Sequence, residues 1–242
     1  MAKKKAVVGP DLTPDWLEKR TKVMGEIDAQ LIRGLREPGK GLTLDDLQLV
    51  VEHRSIRMDV SSLFFSHHSF YPKFFGLNPD LSTVRIPLQR PDFTRLLIIA
   101  QGLTPNRVYE ACQKHFPCWR YTGDLDSALD WDQEERDPRT ATYAIWVKNT
   151  PEADDNLKNL SAIQIKARGL TTETLTERLL HELMYWSETG QHLDSNTITL
   201  CSGSRHQDGS VPRVRWRWDK FGVDWYGPRN ADGGLRARAV VS

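Results

Sequence analysis

The spacing of apolar residues predicts helices through the first three quarters of the chain. A stripe with helical spacing begins after Thr13, a good N-cap residue, and ends before Pro38 and Gly39. The same spacing predicts further helices over about 44–53, 92–101, 105–116, 161–168 and 172–189. Three of these starts contain Gly-Leu-Thr, in which the threonine would cap the helix and the leucine would pack on its first turn.

Strand patterns lie in the centre of the chain and after residue 195. Short runs at 118–121 and 143–147 predict two strands around an acidic segment. Four alternating runs follow at 196–201, 213–218, 221–226 and 235–241, with Asp219 and Lys220 as a tight turn between the middle two. We therefore expect an α+β fold, in which a helical N-terminal and central part packs on a C-terminal antiparallel β-sheet of about four strands.

Breaks in these patterns divide the chain into three predicted parts. Residues 1–12 have a lysine-rich start and no periodic pattern, so we expect a mobile tail. Residues 13–90 form a helical region with an aromatic-rich end that prolines interrupt, and this region is a candidate subdomain. Residues 91–242 are expected to form the α+β core domain.

The composition is that of an ordinary globular protein. The 242 residues carry a net charge of +1, with 39% hydrophobic and 27% charged residues. These values argue against wholesale disorder and against a protein that coats nucleic acid through its net charge alone. The three cysteines suggest no disulfide framework and suit a reducing compartment, and no apolar run reaches the roughly 20 residues of a membrane span. We expect a cytoplasmic protein.

Arginine occupies every second position of the predicted strand 213–218. The alternation places these arginines on one side of the sheet, and Val214, Trp216 and Trp218 on the other. Residues 196–242 contain eight Lys/Arg against four Asp. Such a charge excess favours binding of nucleic acid or another polyanion through Arg205, Arg213, Arg215, Arg217, Arg236 and Arg238. The alternative is a solvated outer face whose charges discourage edge-to-edge association.

A second pattern typical of DNA binding spans residues 92–116. Two short predicted helices meet at Gly102, and Thr104 would cap the second, as in a helix-turn-helix. Arg107 and Lys114 would then face a groove of the nucleic acid. An ordinary corner between two helices uses the same turn residues and is the alternative.

We predict no metal and no cofactor, because each motif that suggests one is incomplete. The segment 123–137 holds seven carboxylates but lacks the internal glycine that turns a calcium loop. We expect this segment to be a solvated loop or to screen the arginines. His181 and Glu182 begin like a zinc-protease helix, but Tyr185 stands where the second histidine is needed.

Three functional hypotheses follow. The leading one is a non-enzymatic binding protein for nucleic acid or another polyanion, which acts through an arginine-bearing sheet face. A hydrolase-like enzyme would instead need His181, Glu182, His192 and Ser204 to converge in one pocket. A structural or protein-interaction role would be favoured by an exposed aromatic patch over residues 64–75.

Several segments after residue 102 are similar to those of a group of bacterial proteins. They are Leu103-Thr104-Pro105, Trp119-Arg120-Tyr121, Tyr143-Ala144-Ile145-Trp146-Val147, the stretch from Glu188 to Asp194 and the stretch from Thr199 to Arg205. Over residues 103–242 the chain resembles a family of uncharacterised bacterial proteins. The resemblance implies a bacterial cytoplasmic protein, and it implies no mechanism and no functional residue.

Overall fold

The computed structural model describes residues 67–81 and 84–242, together with the single residue Ala29. The predicted tail and the helix predicted over 44–53 lie outside the described residues, as does the first predicted helix apart from Ala29. From residue 67 onward, the described residues belong to one unit, Leu63–Ser242. The domain boundaries at residues 12 and 90 stay predictions.

The α+β fold class is confirmed. Helices occupy residues 67–75 (α1), Pro105–Gln113 (α2), Leu125–Ala128 (α3), Ala162–Ala167 (α4) and Leu175–Thr189 (α5), with single 3-10 turns at Trp131–Gln133 and Asp155–Leu157. A search of the described residues for a helix of the length and apolar character needed to cross a membrane finds none.

In the described residues, two sheets contain eight strands. These strands are Arg95–Ile99 (β1), Cys118–Arg120 (β2), Tyr143–Val147 (β3), Ile198–Leu200 (β4), Val211–Arg217 (β5), Lys220–Tyr226 (β6), Leu235–Arg236 (β7) and Val240–Val241 (β8). A three-stranded antiparallel sheet has the order β1-β3-β8, and a five-stranded sheet has the order β2-β6-β5-β4-β7. The centre of the larger sheet is antiparallel, whereas β2 and β7 pair in parallel with their neighbours at its two edges.

The helix predicted over 92–101 is wrong, because this segment contains strand β1. Residues 96–99 are four consecutive apolar residues, all buried, and β1 pairs in antiparallel register with β3. A short, fully buried apolar run fits a strand as well as a helix, and here the sheet decides between them. Gly102, with φ of 81°, therefore belongs to the turn after a strand. The helix-turn-helix prediction is wrong for the same reason.

The caps of the later helices follow local sequence signals. Ser161 caps α4 and forms a capping box with Gln164. Thr174 caps α5 with Glu177 as its box partner, three residues later than the predicted cap at Thr171. Gly190 ends α5 with φ of 69°, a conformation that costs glycine little. Local chemistry thus defines where these helices begin and end.

Two apolar cores lie on opposite faces of the five-stranded sheet. The main core joins residues of α1, α2 and α5 to both sheets, including Val214, Phe221 and Val223. The second core lies on the other face, where Ile165 of α4 packs with Val211. On this same face, polar residues lie where β5 and β6 approach their turn and β2 pairs with β6. They are described below.

The aromatic side chains over 67–75 are part of the main core. Phe70, Tyr71 and Phe74 are buried, and Phe75 packs against them. The Tyr71 hydroxyl accepts a hydrogen bond of 3.0 Å from the backbone amide of Ala100. This part of the stretch therefore forms core, and it does not provide the exposed patch that a protein-interaction role would favour.

Candidate functional site

The β5–β6 hairpin carries a cationic surface that we name the arginine-bearing face, defined by Arg213, Arg215, Arg217 and Lys220. In the hairpin, Arg213 lies opposite Asp224, Arg215 opposite Gly222, and Arg217 opposite Lys220. Residues paired across an antiparallel ladder point to the same side of the sheet, so these four cations share one surface. Val214 points to the main core on the other side.

The charges of this face are unevenly compensated. Arg213 donates hydrogen bonds to both carboxylate oxygens of Asp224. Among the described residues, neither Arg215 nor Lys220 has a hydrogen-bond or ionic partner for its side chain. Burial lowers the pKa of Arg215; the charge of Asp224 opposes this shift, and the charges of Arg213 and Arg217 add to it. A positive charge therefore remains at the end of the hairpin near its turn.

Aromatic side chains border these cations. Strand β2 pairs in parallel with β6, so that Trp119 lies opposite Gly222. Trp119 is 47% exposed, and Tyr121, two positions along the same edge, is 75% exposed. A groove of about 250 Å³ runs between this edge and the hairpin, lined by Trp119, Gly222, Asp224, Arg215, Arg217, Lys220 and Trp218. Cations and aromatic rings thus surround one opening.

The hairpin turn differs from the prediction by one residue. Arg217 pairs with Lys220, so Trp218 and Asp219 are the two turn residues, with φ of 51° and 55°. The predicted turn at Asp219 and Lys220 and the predicted inward orientation of Trp218 are both wrong. Trp218 is 77% exposed, and the guanidinium of Arg217 lies 4.2 Å from the centre of its ring.

Arg236 and Arg238 lie elsewhere. Thr199 pairs with both Val214 and Arg236, which places Arg236 on the side of the sheet that faces the main core. Its guanidinium donates to Asp155 over 2.9 Å. Arg238 is only 2% exposed, and it donates to the carbonyl oxygens of Thr150 and Pro151 and to Asp194. Arg236 and Arg238 therefore do not join the arginine-bearing face with which they were predicted to bind.

The remaining predicted cations line no part of the groove. The guanidinium of Arg205 donates to the backbone oxygens of Ser202 and Ser204, both over 2.7 Å. Arg107 lies on α2, and Lys114 follows its last residue. Because the segment before α2 contains a strand, these two residues are not part of a helix-turn-helix. Of the eight predicted binding residues, the structure brings together Arg213, Arg215 and Arg217.

The acidic segment 123–137 packs away from these arginines. Its backbone amides at Asp130 and Glu135 donate to the carbonyls of Arg205 and Gly203. Arg136, within the segment, donates to both carboxylate oxygens of Glu177 on α5. None of its carboxylates lines the groove. Burial lowers the pKa of Arg205, and the charges of Glu135 and Glu134 in this segment oppose that shift. In the described part of the chain the segment therefore acts on Arg205 and does not screen the groove.

The residues of the enzyme hypothesis lie in a buried polar network along α5. His181, Glu182 and Ser204 are fully buried, and His192 is largely so. His192 Nδ1 lies 2.8 Å from Glu182, whereas His181 Nδ1 lies 2.7 Å from Glu173, and the Ser204 hydroxyl donates to Glu134 over 2.8 Å. The histidines and the serine therefore have separate carboxylate partners, and none of them lines the described groove.

Asp194 is the centre of this network. Arg178 donates to it through two nitrogens, at 3.0 and 2.8 Å, and Arg238 donates over 2.7 Å. Burial alone would raise its pKa, but Arg238 and Arg178 lower the pKa of Asp194 to about 2. The Thr199 hydroxyl donates to the same carboxylate over 2.5 Å. This arrangement joins α5, the loop after it and β4.

The pKa values of two carboxyl groups at the margins of the network are shifted in the opposite direction to that of Asp194. Burial raises the pKa of Glu173 and that of Glu134, each to about 8. One oxygen of each carboxyl group has no hydrogen-bond partner among the described residues. A search of the described residues finds no group of three or more His, Cys, Asp or Glu side chains that could hold a metal ion.

Comparison with known proteins gives no match: no protein-family model, no curated protein and no solved structure is similar to this chain. Sequence patterns missed three features of the site, namely the exposed rings of Trp119 and Trp218 and the opening at Gly222. The alternation of Trp119 and Tyr121 around Arg120 was the available signal for two rings on one side of a strand. The parallel pairing that brings Trp119 to the hairpin leaves no periodic signal in the sequence.

Proposed function

We propose that the protein is a non-enzymatic binding protein whose partner is nucleic acid or another polyanion, held by the arginine-bearing face. The observation that carries the proposal is the group of Arg215, Arg217 and Lys220 near one turn. The carboxylate that lines the groove, that of Asp224, is already bonded to Arg213. Phosphate oxygens would supply the missing negative charge and would release counterions on binding.

The enzyme alternative has less support. Catalytic groups must come within hydrogen-bond reach of a common substrate, and His181, Glu182 and Ser204 are fully buried with separate partners. The free cysteines of the described chain favour a reducing compartment as the place of action.

The test is fluorescence anisotropy with labelled nucleic acid and with labelled heparin at low salt. We expect binding that weakens as salt rises from about 50 to 200 mM. The double variant Arg215→Ala, Arg217→Ala should bind more weakly, and the slope of log K against log salt should fall by roughly 0.7–0.9 for each phosphate contact that is lost.

The matched control is Arg139→Ala. Arg139 also stacks on a tryptophan, with its guanidinium 3.9 Å from the Trp131 ring, but Asp137 neutralises it and it lies outside the groove. The control should bind like the wild type. Absence of binding to every polyanion at low salt, or equal loss in the control and the double variant, would contradict the proposal.

A further inference from the structure

Trp218 is an unfavourable choice for the turn that it occupies. A two-residue hairpin turn with positive φ at both positions favours Asn, Asp or Gly, because other side chains are strained there. Trp218 has φ of 51° and leaves 77% of its surface in water. Neither turn preference nor burial explains an indole at this position, and its contact with the Arg217 guanidinium contributes less than the strain costs.

Trp119 presents a second ring on the other side of the same groove. Position 222, in the opening beside this ring, has no side chain: a Cβ there would make ordinary contacts, 3.7 Å from the Trp119 ring and 3.8 Å from the carbonyl oxygen of Arg215, so a larger side chain would extend into the opening. Trp119 and Trp218 therefore border an opening whose floor is Gly222 and whose remaining lining is mainly cationic.

The groove has the features of a site for a flat, anionic ligand. At about 250 Å³ it is smaller than the roughly 300–1,000 Å³ of pockets that enclose drug-sized molecules, and it lies open to solvent. Exposed aromatic rings stack on the faces of unpaired bases, and a cationic groove follows the phosphates of the same strand. Base pairs in a duplex are already stacked and leave their faces inaccessible.

We infer that this groove binds unpaired bases of single-stranded nucleic acid, with Trp119 and Trp218 stacking on bases while Arg215, Arg217 and Lys220 contact phosphates. The inference rests on the proposed function and adds the class of partner. It separates two contributions: the cations recognise any polyanion, and the tryptophans recognise bases.

Three labelled probes of equal length, about 12 nucleotides, distinguish these contributions. They are a single strand, the same strand paired with its complement, and a strand of abasic sugar-phosphate units. We expect the single strand to bind at least about fivefold more tightly than the abasic strand, and more tightly than the duplex. Quenching of tryptophan fluorescence should accompany its binding.

The variants Trp119→Leu and Trp218→Asn should each weaken single-strand binding about fivefold or more and leave binding of the abasic strand unchanged. Gly222→Val should also weaken single-strand binding and leave abasic-strand binding unchanged, because its side chain fills the opening. Valine is common in strands, so the variant should fold. Ile163→Ala, which alters another exposed apolar side chain outside the groove, should have no effect. Because this type of turn favours asparagine, Trp218→Asn should fold, and it tests the stacking of bases if another variant fails to fold.

Two failures are distinguishable. Equal binding of the single and abasic strands, preference for the duplex, or wild-type binding by Trp218→Asn overturns the inference and leaves the proposed function standing. Failure to bind any of the three probes or heparin overturns both.

Discussion

Asp194→Asn tests the role of the buried network in stability. The substitution removes one negative charge from between the guanidinium groups of Arg178 and Arg238 while keeping the size of the side chain. Asp194 has φ of 57°, a conformation that asparagine tolerates as well as aspartate does. The backbone should therefore be undisturbed, and the change isolates the charge.

Two estimates give the size of the effect. The pKa of Asp194 is lowered from 3.8 to about 2, and about two units correspond to about 2.5 kcal/mol of preference for the ionised form. Removal of one partner from a buried ion pair costs roughly 3–5 kcal/mol. Arg178 keeps Glu182 and Arg238 keeps two carbonyl oxygens, so the lower end applies. We expect the free energy of unfolding to fall by about 3 kcal/mol at neutral pH.

Urea unfolding followed by circular dichroism measures this change. Because the folded-state pKa is lowered, the stability that Asp194 contributes is present above about pH 4 and is lost as pH falls towards 2. The difference between wild type and variant should narrow over that range. Asp208→Asn is the control, since Asp208 is exposed and should change stability by less than about 0.5 kcal/mol. A loss below about 1 kcal/mol for Asp194→Asn would refute the reasoning.

Three further substitutions test other parts of the structure. Burial raises the pKa of Glu173 from 4.5 to about 8, so its contribution to stability is present below pH 4.5 and is lost as pH rises towards 8. Glu173→Gln should therefore gain up to about 4 kcal/mol in free energy of unfolding relative to wild type between pH 5 and pH 8, measured by urea unfolding, and an unchanged pH dependence would contradict this. Trp218→Asn should raise the free energy of unfolding by roughly 0.5 kcal/mol, because relief of strain in the turn exceeds the loss of the Arg217 contact; a lower value would count against the strain. Gly190→Ala, at the end of α5, should lower the free energy of unfolding measured in urea by about 1 kcal/mol. Gly123→Ala should be nearly neutral, because Gly123 has neither a positive φ nor a close neighbour.

Sequence patterns predicted the elements that local chemistry defines. Tyr143–Val147 is a strand over the predicted residues, and α4 begins after Ser161 and is followed by Gly169 in the expected left-handed conformation. In each case the deciding residues lie within a few positions of one another. Burial, capping and turn preferences of this kind act over short distances and can be read from one chain.

Features that depend on distant residues could not be predicted. The run at 95–99 fits a helix or a strand, and only its pairing with β3 decides between them. The burial of Arg238 depends on Asp194, which lies far away in sequence. In the hairpin, the absence of a glycine or asparagine at the turn left its register ambiguous by one residue, which reversed the side to which Trp218 points.

The parallel pairing of β2 with β6 has a consequence for folding. The hairpin of β5 and β6 is local and can form early, but Cys118 pairs with Phe221 across about 100 residues of intervening chain. Closing such a long loop is slow, and its entropic cost must be offset by contacts that form at the same time. We therefore expect the contact between Trp119 and Gly222 to form after the hairpin. In such an order, the arginines of the hairpin would be displayed before Trp119 joins them, and the groove would be completed last.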